Sequence, residues 1–212
     1  TAEGRRLGGL RSVIVQKKNP GAFVVAKAIK RPKKSSKLAE IMGILIGDGH
    51  LSKWQIVVTT NAKTDKNHAV FVRNYFKELF GVLSFWRERN EDNTISVVVS
   101  SKRLAKLINY LGMPIGNKLK KGLSAPSWIF EKEIYKKAFI RGLFDTDGCV
   151  YIDRHRINSK EYSHYGWVIT SASKMLIKDI VNILKGLNFR LTYRESQKSV
   201  YLRRQNEIKR YF

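Results

Sequence analysis

Two carboxylates stand where a helix end would place them badly. Residues 46–49 read IGDG and residues 144–148 read FDTDG, and each closes an apolar run. A helix C-terminus carries partial negative charge, so an aspartate there is disfavoured unless a cation answers it. The two runs superpose at an offset of 99 residues: Ala39 falls on Ala138, Gly43 on Gly142, Gly47 on Thr146, Asp48 on Asp147 and Gly49 on Gly148. Small residues at i, i+4 and i+8 line one helix face and let another helix approach closely. Packing the two stripes on each other about a pseudo-twofold axis would bring Asp48 and Asp147 together beside two negative helix ends. Such a pair calls for cations. The expected ion is divalent and hard, with Mg²⁺ favoured for carboxylate, carbonyl, water and phosphate ligands. Metal ions near two phosphates on opposite strands would give two hydrolytic centres. Asp145 falls on Ile46 and is expected to make only a local contact.

Holding these groups in place requires two copies of one unit. In the first, Ser35 or Ser36 caps a helix running to Ile46. QIVVTTN (55–61) reads as a strand, 65–81 as a helix stopped by Gly81, 84–101 as a hairpin turning at Asn90–Asn93, and 102–112 as a helix. The order then restarts: a helix from Glu131 to Thr146, strand-like GCVYIDRHR and a polar turn, the strand WVITS (167–171), a helix at 173–187, a hairpin from FRLTYRES and SVYLRR, and a helix opening at Gln205. This doubled pattern predicts an α+β fold of two pseudo-symmetric αββαββα units, each a saddle-shaped antiparallel sheet with helices on one face. The expected divisions are a basic arm at 1–36, a first unit at 37–128 and a second at 129–212, its last helix shortened. The arm holds ten Lys or Arg against Glu3 alone. It is expected either to lie along nucleic acid, with one strand at its apolar stretch AFVVAKAI, or to be a disordered solubilising tail.

Composition narrows the partner. The chain has 212 residues with 41 Lys+Arg against 17 Asp+Glu, a net charge of +24, which points to a polyanion, above all nucleic acid. No apolar run approaches the roughly 20 residues of a membrane span, and no signal peptide opens the sequence, so the protein is expected to work inside a cell. Cys149 is the sole cysteine, which excludes an internal disulfide and a cysteine zinc site. The four histidines lack metal-ligand spacing, so any metal must be held by oxygen.

IMGILIGDG (41–49) and IRGLFDTDG (140–148) resemble the two motifs of a single-chain LAGLIDADG homing endonuclease, over residues 37–212. The resemblance implies motif helices at the interface, sheets in the DNA major groove, and Mg²⁺-dependent cleavage of both strands leaving 3′ overhangs, with Mn²⁺ or Ca²⁺ able to substitute in binding. It implies Asp48 and Asp147 as metal-binding acids, carbonyls at Gly47 and Thr146 as further ligands, and Asn61, Ser171 and Lys102 as polar residues around water. Opposite Lys102 the second unit offers Gln205 or Asn206. Strand alternation offers Trp86, Arg87, Arg89, Ser96, Arg190, Tyr193, Arg194, Tyr201 and Arg203 for DNA contact. Arg154 and Arg156 are placed in a second-unit turn, and Lys118, Lys120 and Lys121 suit phosphates. The alternative is a non-catalytic binder of the same fold, an intron RNA maturase or a DNA-binding regulator. An intein would need a nucleophile at its start and His-Asn at its end. Thr1 and Phe212 lead instead to the expectation of a free-standing, intron-encoded monomer in a prokaryotic cytoplasm, chloroplast or mitochondrion.

Overall fold

The computed structural model describes residues 2–19 and 28–212. The stretch expected to form a basic arm opens with a helix, α1 (Ala2–Lys18), with Glu3 in its first turn and Lys17 and Lys18 in its last, matching the helix dipole. None of its residues is buried. The strand anticipated at AFVVAKAI falls mostly outside the described residues. From Lys30 the chain joins the body: its N–H bonds the Phe80 carbonyl at 2.9 Å, and the Lys34 carbonyl accepts from the Tyr135 hydroxyl at 3.0 Å.

The first unit is α2 (Ser36–Gly47), β1 (Gly49–Leu51), β2 (Gln55–Asn61), α3 (Lys66–Phe80), β3 (Phe85–Arg89), β4 (Thr94–Ser100) and α4 (Lys102–Tyr110). Ser35 caps α2 by accepting from the Leu38 N–H, and Gly81 ends α3 in the left-handed region at φ 67°. After a loop and a short 3-10 turn (Ser127–Glu131) come α5 (Glu133–Asp147), β5 (Gly148–Ile157), β6 (Lys160–Thr170), α6 (Lys174–Gly186), β7 (Thr192–Arg194), β8 (Ser199–Leu202) and α7 (Gln205–Tyr211). The sheets have the same antiparallel order, β1-β2-β4-β3 and β5-β6-β8-β7.

Each sheet packs one face on helices. Ile56, Val58, Val97 and Val99 are buried in the first, and Trp167, Ile169, Val200 and Leu202 in the second. Under the second sheet, Phe144 stacks on Trp167 with centroids 4.9 Å apart, and Tyr211 packs against both. The core is continuous across the units because α2 and α5 lie against each other. A Cβ on Gly43 would come within 2.3 Å of the Phe139 carbonyl oxygen, and one on Gly142 within 2.1 Å of the Glu40 carbonyl oxygen. Positions 40 and 139 are themselves equivalent under the repeat, so the two contacts are reciprocal, as a pseudo-twofold requires. At this seam the buried Glu40 carboxylate accepts from Arg141 Nε and from the Tyr75 hydroxyl, each at 2.5 Å.

Candidate active site

The crossing of α2 and α5 brings their C-termini together. Asp48 is the C-cap of α2, its N–H bonded to the Ile44 carbonyl, and Asp147 is the last residue of α5. At this end Gly47 lies directly against Thr146, whose hydroxyl donates to the Leu143 carbonyl at 2.9 Å. Burial pushes the Asp147 carboxyl up to about 6, the Asp48 charge adds to the rise, and Lys118 opposes it. Asp48 is also raised, first by partial withdrawal from water, against the pull of Lys118 and His68. The two acids therefore repel each other across the pseudo-axis.

A lysine answers them, and it comes from an unexpected place. The loop after α4 runs beside β1, anchored where the Gly116 N–H bonds the Leu51 carbonyl at 2.7 Å. It delivers Lys118 to the end of α2, where the ammonium donates to the carbonyls of Ile46 at 2.8 Å, Gly49 at 3.1 Å and Gly47. Burial lowers the Lys118 pKa, while Asp147 and Asp48 pull it back up. Lys118 was anticipated as a phosphate contact; the structure holds its ammonium against the carbonyls at the end of α2. Lys120 and Lys121 remain exposed on the same loop. No spacing rule reaches from residue 118 to residue 48. The only sequence hint was a lysine in a glycine-bounded loop between the units.

The other anticipated polar residues have partners of their own. Lys102 opens α4 and sits over the Trp54 ring at 4.3 Å, at the far end of β2 from the aspartates. The Asn61 side chain accepts from the N–H groups of Lys63 and Thr64, closing a turn, and Ser171 accepts from the Ser173 N–H. Gln205 bonds both backbone groups of Tyr165, at 2.8 and 3.3 Å. Strand register points to different residues. Gly49 pairs with Val58 and Gly148 with Ile169, so Thr59 and Thr170 stand one step beyond, beside the aspartates. Each shares a hydroxyl contact with a serine on the next strand, Thr59 with Ser96 at 2.9 Å and Thr170 with Ser199 at 2.8 Å. Asp145 lines a cavity of about 360 Å³ together with Arg141, Phe144, Phe189 and Tyr211.

The sheet faces opposite the helices carry the basic residues. Arg87 and Arg89 pair with Ser96 and Thr94 on that face. In the second sheet Arg194 and Arg203 flank the Tyr201 ring at 5.7 and 5.2 Å. Trp86 and Tyr193 fall on the opposite side by alternation, and Trp86 packs against the core. Arg190 is exposed just before β7. Arg154 and Arg156 lie within strand β5, not in a turn, and Arg156 pairs with Glu161 at 2.8 Å.

Among the described residues no cluster of three His, Cys, Asp or Glu is placed to hold a metal, and no helix is long and apolar enough to cross a membrane. The donor set at the helix ends is two carboxylates with neighbouring carbonyls. Their raised pKa values and the lysine held by the Gly47 carbonyl mark a place that stabilises positive charge. A hard divalent ion fits that chemistry.

Residues 135–212 match the LAGLIDADG-like domain. The chain is 29% identical over 140 residues to the replication factor C small subunit of Methanocaldococcus jannaschii, a stretch covering 59% of this chain and 7% of that one. It is 32% identical over 132 residues to the tRNA-splicing ligase RtcB of Pyrococcus furiosus, covering 53% of this chain and 13% of that one. It therefore corresponds to only a small part of these relatives. In three dimensions it is similar to I-DmoI in complex with DNA and Ca (21% identity, TM-score 0.54, 82% of this chain and 86% of that one). It is also similar to the I-LtrWI LAGLIDADG homing endonuclease bound to target DNA (14% identity, TM-score 0.52, 83% and 81%). Two motif helices packed through glycine and two like sheets give the chain the two-unit fold of these solved structures, and residues 135–212 carry a LAGLIDADG-like domain.

Proposed function

We propose that this protein is a site-specific double-strand DNA endonuclease that hydrolyses one phosphodiester on each strand with a divalent metal, Mg²⁺ by preference. The observation that carries the reading is the convergence of Asp48 and Asp147 at the seam between two basic sheet faces. A pure binder gains nothing from two mutually repelling acids at this point. Asp48 and Asp147, with the Gly47 and Thr146 carbonyls, would hold the metal. When bound, such an ion lowers the pKa of water and stabilises a leaving oxygen. The chain's own groups do the rest. Arg87, Arg89, Arg194 and Arg203 bind phosphate and base edges and set the register of the duplex. Lys118 neutralises the α2 carbonyls and places a positive charge beside the scissile phosphates. The Thr59–Ser96 and Thr170–Ser199 hydroxyl pairs orient water, one pair for each strand.

Two similar structures are complexes with DNA, one of them with Ca, which supports a divalent ion here. One setting for that activity is an intron-encoded monomer. The curated relatives contain the matched segment within much longer chains, which makes an embedded module the competing setting. The decisive experiment selects cleaved sites from a random duplex library with Mg²⁺ or Mn²⁺, then resolves a plasmid bearing the site into supercoiled, nicked and linear forms. Linear product is expected. Tight binding without any cutting in either metal would favour the non-catalytic maturase or regulator reading instead.

A further inference from the structure

The histidines carry no metal signature in their sequence spacing, but strand pairing brings two of them together. β5 and β6 pair from Gly148↔Ile169 out to Ile157↔Lys160, with Asp153 opposite His164 and His155 opposite Tyr162. β8 pairs only with Trp167–Thr170 of β6, so the outer part of this hairpin has two strands and no third. Alternation sets Asp153, His155, Tyr162 and His164 on one face. The imidazoles of His155 and His164 are diagonal neighbours there, with ring centroids 5.4 Å apart and planes inclined by 32°.

Two imidazoles that share one metal ion have a predictable separation. With Zn–N at about 2.0–2.1 Å and each ring centre roughly 1.1 Å behind its nitrogen, tetrahedral ligation puts the centroids about 5.2 Å apart. The observed 5.4 Å meets that requirement without any change of strand register. Rotation about χ2, a soft torsion, turns one nitrogen of each ring toward the common point. Both side chains are exposed, so water can complete the coordination. Tyr162 steadies one ligand by stacking on His155 at 5.8 Å and 18°. The charges nearby also tolerate a cation. Asp153 lies opposite His164, and Lys160 stands at the tip beyond Tyr162. Arg154 and Arg156 belong to the other face by alternation, and Arg156 is tied to Glu161 at 2.8 Å.

We propose that His155 and His164 form a cross-strand site for a borderline divalent ion of the Zn²⁺, Ni²⁺ and Cu²⁺ class, which imidazole nitrogen suits. It is separate from the oxygen ligands at Asp48 and Asp147, which suit a hard ion. β5 carries His155 roughly 23 Å beyond Gly148, at about 3.3 Å per residue. A two-stranded hairpin is by itself marginal in water. An ion held by one histidine from each strand clips β5 to β6 there, so the site couples transition-metal supply to the order of residues 152–165. The inference rests on hairpin register and stands apart from the endonuclease reading.

The test uses Zn²⁺ as the probe. Isothermal titration is run on the parent chain in excess Mg²⁺, and again on the Asp48→Asn/Asp147→Asn variant, which lacks the carboxylate pair. A single Zn²⁺ should bind both proteins with micromolar affinity. His155→Ala and His164→Ala should each weaken it by at least roughly 10-fold, the low end of what losing even an outer partner of a ligand costs. His50→Ala should leave it unchanged. Hydrogen exchange supplies a readout independent of heat. At free Zn²⁺ 100 times the Kd, amides of residues 152–165 should exchange up to about 100-fold more slowly. That protection should vanish in either histidine variant. Zn²⁺ binding that survives undiminished in H155A/H164A overturns the proposal, as does a parent chain that binds no Zn²⁺ or binds it without protecting the hairpin.

Discussion

At the scale of single residues, the paired aspartates act on stability and on chemistry in opposite directions. An acid whose folded pKa is raised destabilises the native state where it is ionised. For Asp147 that penalty is complete above about 6 and is relieved as pH falls through 6 toward the ordinary carboxylate value. At pH 7.5 in EDTA, Asp147→Asn should therefore melt at a higher temperature than the parent, by about 2–4 °C for each 1 kcal/mol removed. Adding Mg²⁺ should raise the parent's Tm and barely move the variant's, and the parent's response should fade below pH 6 as protons compete with metal. An Asp147→Asn protein that melts lower in EDTA would contradict the repulsion. In the plasmid assay, Asp48→Asn and Asp147→Asn should each abolish linear product, and the double variant should still bind its site. Lys118→Met removes the ammonium bonded to the Ile46 and Gly47 carbonyls of α2. It should slow cleavage about 100-fold or more, by analogy with loss of a transition-state donor, with little change in DNA affinity. Full activity in that variant would return Lys118 to the rank of an ordinary surface lysine.

At the scale of elements, the interface of α2 and α5 admits no side chain at two points. A Cβ at Gly142 meets a backbone oxygen at 2.1 Å, which no rotamer change relieves. Gly43→Leu or Gly142→Leu should cost at least the roughly 1–3 kcal/mol typical of overpacking and also part the aspartates. Thermal melts and cleavage should fall together, and a variant with parental Tm and activity would refute the close packing. This interface was legible in the sequence because steric complementarity leaves a periodic mark, small residues every four positions. So were β2, α3, α6 and the hairpins, whose alternation and glycine stops are local signals. What was not legible depended on contacts between distant residues. Lys118 reaches the site through a loop with no periodicity, Lys102 was misplaced because a strand's length separates it from the aspartates, and Asn61 and Ser171 were taken up by turns. The register that singles out Thr59 and Thr170 exists only once strands are paired.

At the scale of the whole molecule, charge is unevenly attached. Helix α1 carries Arg5, Arg6, Arg11, Lys17 and Lys18 but buries nothing, and Gly4, Gly8 and Gly9 weaken it by about 1 kcal/mol each relative to alanine. Removing residues 1–19 should leave the melting temperature unchanged. It should flatten the dependence of log affinity on log salt by up to about 4.5, the value for five phosphate contacts. An unchanged slope would mean that α1 never meets DNA. Residues 30–36 should be kept in such a truncation, since Lys30 and Lys34 bond to both units. The Glu40–Arg141 pair at the seam bears on how such a molecule is inherited. Position 40 has Phe139 as its repeat equivalent, and position 141 has Met42. A symmetrical dimer of first units would therefore seat two buried glutamates opposite methionines, each stranded charge costing on the order of 3–5 kcal/mol. The halves have diverged past the point of standing in for each other. Recombination that exchanges one half for a foreign one would succeed only if the newcomer brings an arginine to the same spot.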